Sequence, residues 1–355
     1  MTLEQIENVV GQFVAKSIVS ISPLGNGHIH RTWKVDFEGN SIVLQQFNHQ
    51  IFTRPEIVDA NIHRVTEHLL QQANYPLQVL QMLPTSNGQT LLKHGEHYFR
   101  AFPYLNNSTS IDKVENTSTA RKIAQAFGSY NASLLDLDPT TLSYSLSDFH
   151  NGALRHQALL ESARLDRRDR LRHCKALVEN INNLHGETAE IDALKQDGTL
   201  PLRIAHYDTK VNNILLDAQT EEPLMVIDLD TTMPGTWLSD YGDMIRTATP
   251  TRDENETDLN EVHFRLDLFT AITEGYLSAT SKYLNTAEKR NLLAGGKYLI
   301  LMQCERFLAD YLNGDIYYGS KYEGQNLDRA HNQFKLLTSI RDQETQAQKI
   351  ISQLI

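Results

Sequence analysis

The stretch that decides the fold runs from residue 202 to residue 243 and reads LRIAHYDTKVNNILLDAQTEEPLMVIDLDTTMPGTWLSDYGD. Three pieces of it carry chemistry: HYDTKVNN at 206–213, MVIDLD at 225–230 and SDYGD at 239–243. The apolar run Ile214–Leu216 follows the first piece, and the second piece ends an apolar run on two aspartates. This pattern predicts short buried strands that present polar, oxygen-bearing side chains at their ends.

The spacing within this stretch meets the demands of phosphoryl transfer. That reaction needs a carboxylate that orients the attacking hydroxyl and accepts its proton, a nearby cation, and oxygen ligands for magnesium. His206, Asp208 and Asn213 stand at the relative spacing of the protein-kinase catalytic loop, H-R-D-x-x-x-x-N. We predict Asp208 as the catalytic base and Lys210 as the cation beside it. Asn213 and Asp228 are the predicted metal ligands, and this combination is specific where HxD alone is weak.

Other polar residues of the stretch admit more than one interpretation. Asp230 is placed with the metal site, either as a second ligand or as a residue that orients the loop. His206 is expected to organise the loop by packing and hydrogen bonding rather than to take part in the chemistry. Asp240 and Asp243 are expected to support the loop and to pair with Arg246.

Upstream of this stretch, the sequence predicts a hairpin with a glycine loop at its mouth. Thr32–Phe37 alternates in polarity, Glu38–Asn40 supplies a turn, and Ser41–Phe47 returns as a second strand. Gly25 and Gly27 precede the hairpin. Backbone amides of such a loop cover the phosphates of a bound nucleotide, so both glycines are assigned to the nucleotide site.

The second strand of the hairpin lacks the lysine expected of a nucleotide-binding strand in this position. Gln45 and Gln46 stand there instead. A glutamine amide donates to phosphate oxygens but brings no charge. Either one of them performs a reduced version of the role, or a cation comes from elsewhere in the chain. Pro103 and Tyr104 begin a hinge-like segment and complete the predicted nucleotide site.

The rest of the chain indicates two lobes. Pro55–Gln72 is typical of a helix, and residues 90–102 hold two short strand patterns. After the hinge, helical spacing covers Thr117–Leu135, Phe149–Leu165 and roughly Arg170–Leu184, a strand-rich block occupies Leu202–Leu229, and helical spacing returns from Val262 to the C-terminus. We predict an α+β, bilobed, protein-kinase-like fold with a small antiparallel-sheet N-terminal lobe and a larger, mainly helical C-terminal lobe. The predicted boundaries are 1–103 for the nucleotide-binding lobe and 104–355 for the catalytic and acceptor-binding lobe.

Composition narrows the function classes. The 355 residues carry a formal net charge of -11, which argues against a general role in binding nucleic acid because the phosphates would be repelled. The two cysteines, Cys174 and Cys304, form no CxxC pair and predict neither a zinc site nor a disulfide framework. No signal-peptide pattern and no apolar run of about 18 residues is present, so we expect a cytoplasmic protein without a membrane partner.

At these residues the chain resembles the aminoglycoside phosphotransferase and choline kinase superfamily, and it is most similar to the N-acetylhexosamine 1-kinases. The resemblance runs through nearly the whole chain. The segments that carry it are Gly25–Ile29, Val43–Gln46, Pro201–Arg203, His206–Asn213, Ile227–Thr231, Met233–Gly235, Arg306–Leu312 and Asp315–Tyr317. The glutamine pair and the RFLADYL segment point to the hexosamine branch, which implies that the missing lysine is a feature of that branch.

The resemblance implies transfer of the γ-phosphate of ATP, with Mg2+, to the anomeric hydroxyl of N-acetylglucosamine or N-acetylgalactosamine. It places the sugar between the catalytic loop and the C-terminal helices. Arg306 and Tyr317 are the expected sugar contacts, and His28 or His30 approaches from the glycine loop. Tyr207 stands where asparagine is expected, and it either touches the acceptor or packs.

Several alternatives stay open. The first alternative is a kinase of the same fold that acts on another small alcohol, such as another sugar, choline or homoserine. The second alternative is a nucleotide-binding protein without catalysis, and the missing lysine is the only feature of the sequence that favours it. A metal-dependent hydrolase needs further histidines at ligand spacing, which the sequence lacks. An ion pair with Asp310 is the alternative role for Arg306, and core packing is the alternative for Tyr317. The sequence does not predict the oligomeric state.

Overall fold

The computed structural model describes residues 2–25 and 29–355. Ten strands lie at Ile18–Pro23 (β1), Arg31–Phe37 (β2), Asn40–Phe47 (β3), Leu92–His94 (β4), His97–Pro103 (β5), Ser108–Thr109 (β6), Arg203–Ala205 (β7), Ile214–Asp217 (β8), Pro223–Val226 (β9) and Met233–Gly235 (β10). The helices are Leu3–Phe13 (α1), Pro55–Gln71 (α2), Thr117–Ser133 (α3), Gly152–Leu165 (α4), Lys175–Gln196 (α5), Trp237–Ala248 (α6), Leu266–Thr280 (α7), Thr286–Arg290 (α8), Leu292–Asn313 (α9), Gln325–Asp342 (α10) and Glu344–Leu354 (α11).

The N-terminal lobe is built on an antiparallel five-stranded sheet in the order β1-β2-β3-β5-β4. Strand residues alternate between its two faces, since successive side chains of a strand point in opposite directions. Val35, Ile42 and Leu44 lie on the outer face and pack against Val9 and Val10 of α1. The predicted α+β class and the antiparallel sheet of this lobe are confirmed.

The inner face of the same sheet contributes to the large core that continues into the helical lobe. Val43 and Phe47 of β3 and Phe102 of β5 belong to this core. Gln45 lies between Val43 and Phe47 in the alternation, and Arg100 is its register partner on β5. A glutamine and an arginine therefore stand side by side on the face that looks toward the C-terminal lobe.

The C-terminal lobe is mainly helical, as predicted, with α9 at its centre. Buried side chains come from every turn of α9, which packs against α4, α5, α6 and α10. Two small sheets carry the loops of interest: β6-β8-β9, and β7 paired with β10. They hold the turns at Val211–Asn213 and Leu229–Thr231 against the helical core.

Three elements differ from the sequence prediction. Strand β1 was not predicted, and α5 continues to Gln196 rather than ending near Leu184. Gly186 lies inside α5 without ending it, because a single glycine within a helix costs only about 1 kcal/mol of helix propensity. Helix α6 lies between residues 230 and 261, for which no element was predicted, and Gly242 lets its backbone approach that of Gly295 on α9.

Across residues 2–25 and 29–355, no helix has both the length and the apolar composition that crossing a membrane requires.

Candidate active site

The catalytic loop leaves β7 at Ala205 and is shaped by a buried carboxylate of α6. Asp240 accepts hydrogen bonds from the backbone amides of His206 and Tyr207, at 2.9 and 2.7 Å. Burial raises the pKa of Asp240 to about 6, and these two bonds oppose that rise. Tyr207 takes a left-handed conformation with φ 66°, which turns the chain sharply before Asp208.

His206 ties the catalytic loop to the strand that ends at the aspartate pair. Its Nδ1 accepts the amide proton of Asp208 at 3.3 Å, so its Nε2 carries the ring proton and donates to the carbonyl of Ile227 at 3.0 Å. Phe127 and Tyr130 hold the ring by edge contacts. His206 therefore has the packing and hydrogen bonds expected of a residue that organises the loop.

Asp208 lies within a cluster of the residues predicted for phosphoryl transfer. The amide nitrogen of Asn213 donates to the backbone carbonyl of Asp208 at 2.8 Å and to its Oδ2 at 3.1 Å. Lys210 Nζ lies 3.3 Å from Asp208 Oδ1. The charge of Asp208 is the main reason that the pKa of Lys210 is raised, so the lysine stays protonated. The Asp208 carboxylate is thus oriented on one side by an amide and on the other by a cation.

Asp228 faces this cluster from the end of β9. It adopts φ 58°, a left-handed conformation that an aspartate tolerates at some cost. The Asp228 side chain is open to solvent in the cleft, and partial desolvation by the surrounding protein, followed by the charges of Asp230 and Asp208, raises its pKa. Asn213 uses its amide nitrogen toward Asp208, so its amide oxygen remains as a donor atom. Carboxylate and amide oxygens around concentrated negative charge fit a Mg2+ ion.

Asp230 lies two residues on, but its carboxylate is directed toward the N-terminal lobe. Arg100 Nη1 lies 2.6 Å from its Oδ1, and His30 Nε2 lies 2.7 Å from its Oδ2. The side chains of Asp230 and Arg100 are each only 3% exposed. Burial opposes ionisation, but Arg100 and His30 outweigh it and lower the pKa of Asp230. Both oxygens of this residue are therefore engaged between the lobes.

Arg100 is the residue that sequence reasoning missed. Its Nε donates to Gln45 Oε1 at 2.8 Å, and its guanidinium lies over the rings of Phe47 and Phe102. Gln45 is on the inner face of the sheet, whereas Gln46 is on the side that α1 covers. The available signal was the alternation of β5, which places a single arginine among apolar residues of the inner face.

The other predicted nucleotide residues lie in the N-terminal lobe. Gly25 has φ 74°, a conformation that favours glycine, while Gly27 and His28 lie outside the described residues. Pro103 ends β5, and the amide of Tyr104 donates to the carbonyl of Ser41 at 3.1 Å.

Tyr207 is a packed residue of the catalytic loop. Its ring centroid lies 4.7 Å from that of His150, and its hydroxyl is 3.4 Å from the carbonyl of Pro234. A Cβ at position 235 would overlap the phenol ring, which explains the glycine there. A cavity of about 350 Å³ opens beside Tyr207 and Gly235, and Asp208 is not among the residues that line it.

Arg306 and Tyr317 are brought together at the end of α9. The Arg306 guanidinium lies 5.0 Å from the Phe149 ring centroid and 5.6 Å from that of Tyr317. Asp310 does not pair with Arg306, since it accepts from the amides of Tyr317 and Tyr318 at 2.8 and 2.9 Å. Tyr317 is 56% exposed, which excludes the core-packing alternative.

The Arg306 group reaches the catalytic loop through aromatic rings. The Phe149 ring lies 6.3 Å from that of Tyr207, the residue before Asp208. Burial, followed by the positive charges of Arg306, Lys195, Arg246 and Arg155, lowers the pKa of His150 beside it. Lys195 and Arg246 are paired with Asp192 and Asp243, so the positive charge on this side of the catalytic loop comes from Arg306 and Arg155.

Comparison with known proteins agrees with this geometry. The profile of the APH phosphotransferase enzyme family matches residues 20–272. Among solved structures, a microcompartment-associated aminopropanol kinase is 13% identical with a TM-score of 0.63, and the match covers 98% of each chain. An amicoumacin kinase in complex with AMP-PNP and Ca2+ is 9% identical with a TM-score of 0.60, covering 95% of this chain and 94% of the other.

A choline kinase from Cryptosporidium parvum is 12% identical with a TM-score of 0.60, and the match covers 97% of each chain. At these identities the structural likenesses show a shared kinase-like fold. The family profile extends from β1 to α7 and includes the glycine loop, the catalytic loop and the aspartate pair. This chain therefore belongs to the APH phosphotransferase enzyme family.

Proposed function

We propose that this chain is an ATP- and Mg2+-dependent kinase that phosphorylates the anomeric hydroxyl of an N-acetylhexosamine. The observation that carries the proposal is the cluster of Asp208, Lys210 and Asn213 facing Asp228, with the electropositive Arg306 group beside it. This cluster supplies the base, the cation and the oxygen donors that phosphoryl transfer needs.

Asp208 acts as the base in this proposal. Asn213 orients its carboxylate, so that one oxygen accepts the proton of the attacking hydroxyl as that hydroxyl approaches the γ-phosphate. Lys210 stays protonated beside it and offsets the charge that develops on the transferring phosphoryl group. The His206 contact with Ile227 keeps this loop at a constant distance from Asp228.

Asn213 and Asp228 hold the metal ion in this proposal. A Mg2+ ion held by these two residues would supply positive charge that offsets the charge of the nucleotide phosphates. Asp230 then takes the loop-orienting role of its two alternatives, because its oxygens face Arg100 and His30. Gly25 and the hinge residues Pro103 and Tyr104 contribute to the nucleotide site from the N-terminal lobe.

The charge of the acceptor side favours a neutral sugar over a cationic alcohol. Choline, a quaternary ammonium ion, binds best in an aromatic cage without competing cations. Here Arg306 already lies over Phe149 and beside Tyr317, and the pKa of His150 is lowered partly by surrounding arginines. An arginine and a tyrosine hydroxyl offer hydrogen bonds to sugar hydroxyl and acetamide oxygens.

The test is ADP release by the purified protein with ATP and Mg2+ against N-acetylglucosamine, N-acetylgalactosamine, glucose, choline and homoserine. We expect turnover with the two N-acetylhexosamines, and phosphorus NMR of the product identifies the phosphorylated position. The matched control is the 1-O-methyl glycoside of N-acetylglucosamine, which differs only in its blocked anomeric oxygen. Equal turnover of the glycoside and the free sugar would rule out anomeric phosphorylation, and activity confined to choline would rule out the sugar.

A further inference from the structure

Because Gln45 stands where a lysine is expected, the inner face of β3 lacks the positive charge that this lysine brings in kinases. A lysine in that strand is held in kinases by a glutamate of the following helix. The acidic residues of α2 do not take the place of that glutamate. Glu56 and Glu67 are exposed, and Asp59 accepts a hydrogen bond from Thr90 at 2.7 Å. Both partners of the usual ion pair are therefore missing from β3 and α2.

The same face of the sheet contains a different ion pair. Arg100, on the neighbouring strand and in register with Gln45, uses one side of its guanidinium for Gln45 Oε1 and another for Asp230 Oδ1. His30 completes the contact, because its Nδ1 accepts the amide proton of Asn48 at 2.9 Å and its protonated Nε2 donates to Asp230. Two residues of the N-terminal lobe thus grip one carboxylate of the C-terminal lobe.

We infer that Arg100 is the positioning residue that takes the place of the strand lysine, and that it acts through Asp230 on the metal-binding loop. The inference rests on the proposed function. Arg100 fixes Asp230, and the short turn Leu229–Thr231 transmits that position to Asp228. The usual ion pair lies within the N-terminal lobe, whereas this one joins the lobes directly.

The backbone of Asp228 shows why such an anchor is needed. A non-glycine residue in the left-handed region is strained and persists where its surroundings hold it. An ion pair two residues away, buried and charge-balanced, supplies that hold. Arginine suits the position because its planar fork reaches Gln45 and Asp230 at once, which a lysine ammonium cannot do with the same geometry.

The experiment is calorimetric titration of the full chain with AMP-PNP, once with Mn2+ and once with EDTA. For Arg100→Met we expect the Mn2+-dependent affinity to fall about 10–100-fold, as for other residues that orient metal ligands, with less than about a twofold change in EDTA. Arg100→Lys is expected to recover part of the loss. Asp230→Asn is expected to resemble Arg100→Met, and the double variant to be no weaker than either single one.

Lys297→Met is the matched control, because it removes a cation that pairs with Glu187 and Glu344 on other helices of the C-terminal lobe. Its Mn2+-dependent affinity should equal that of the unmodified chain. Unchanged affinity in Arg100→Met and Asp230→Asn would overturn the inference, and so would an equal loss with and without Mn2+, since Arg100 would then bind the nucleotide itself. If the unmodified chain binds no AMP-PNP, the proposed function fails and the inference with it.

Discussion

Among the described residues, two buried histidine–carboxylate pairs are present, one between the lobes and one inside the helical lobe. His30 Nε2 lies 2.7 Å from Asp230, and His156 Nδ1 on α4 lies 2.8 Å from Glu305 on α9. In both pairs the histidine side chain is 6% exposed and the carboxylate 3% or less. By distance and burial alone they are equivalent.

They differ in where the positive charge comes from. His30 is held as the neutral tautomer because Nδ1 accepts a backbone amide proton, so Arg100 balances Asp230. His156 places one ring nitrogen against Glu305 and the other 3.2 Å from the Asn182 amide oxygen; with both acceptors in place, both nitrogens carry protons. The hydrogen bond to Glu305 raises the pKa of His156. The inter-lobe pair relies on a permanent cation and the core pair on a titratable one.

The core pair also shows why ligand type alone does not make a metal site. Two histidines and a glutamate are a familiar zinc ligand set, and His156, His185 and Glu305 lie close together. However, the two imidazole rings stack face to face, with centroids 3.8 Å apart and planes within 10° of parallel. The lone pairs lie in the ring planes, so they run parallel and do not converge on one ion. We interpret this cluster as a structural ion pair.

The largest expected effect separates the cleft from the core by activity. Asp208→Asn keeps the shape of the side chain but removes the base, so kcat should fall by about 10²–10⁴-fold. Thermal stability should hardly change, because the ion pair of Asp208 is with the half-exposed Lys210 and an asparagine oxygen can still accept the hydrogen bond from Asn213. Steady-state kinetics and a melting curve on the same preparation measure both. Wild-type turnover in this variant would remove Asp208 from its role as base.

The catalytic loop was predictable because the residues that meet in it are close together in the sequence. Asp208, Lys210 and Asn213 lie within six consecutive residues, and their side chains meet through a single turn. The fold class followed from strand alternation and helical spacing in the same way. In these cases, the pattern in the chain and the contact in space are separated by a few bonds.

Arg100 and Asp230 were not predictable as partners, because nothing local connects them. Their contact depends on the register of β5 against β3 and on how the two lobes meet. For the same reason, the sequence left two roles open for Asp230. Helix α6 was hidden by a different cause: its glycine and aspartates have loop-like propensities, but Gly242 serves a close helix contact and Asp240 binds the catalytic loop.

The next effect concerns the core pair and should appear in stability alone. Glu305→Gln removes the charge that holds the His156 imidazolium, and we expect a loss of about 1.5–3 kcal/mol in the free energy of unfolding. Urea titration measures it, and kcat of the folded protein should be unchanged. Glu161→Gln is the control, because its ion pair with Arg164 lies on the surface, where water screens it, and its loss should leave stability nearly unchanged. A fall in kcat without a loss of stability would contradict a purely structural role.

A smaller effect is expected at the packing of the catalytic loop. In Gly235→Ala the new methyl group overlaps the Tyr207 ring, which should destabilise the protein by about 1–3 kcal/mol and shift the loop before Asp208. Adding Tyr207→Ala makes room for the methyl group, so the double variant should recover from the clash. Stability of the four proteins in a double-mutant cycle checks this. Additive losses would show that the two side chains do not meet.

The smallest expected effect is a pH dependence that belongs to the core pair and not to the inter-lobe pair. A histidine whose folded-state pKa is raised contributes stability that is fully present below its unfolded pKa of about 6.5 and lost as the pH rises through the folded value. His156 is such a group, whereas Asp230, with its lowered pKa, loses its contribution only in acid. Burial lowers the pKa values of His150 and His185. Both histidines therefore titrate below about pH 6.5 and do not contribute to a loss of stability above that pH.

We therefore expect stability to fall as the pH rises from about 6.5 through the raised pKa of His156, with each unit of raised pKa worth about 1.4 kcal/mol. His156→Asn should flatten that slope, while Arg100→Lys, which keeps a permanent cation beside Asp230, should retain it. Urea titrations of the three proteins at four pH values measure the slopes, and their differences cancel groups common to all. If the slope were lost in Arg100→Lys and kept in His156→Asn, the titrating charge would belong to the inter-lobe pair, which would contradict this assignment.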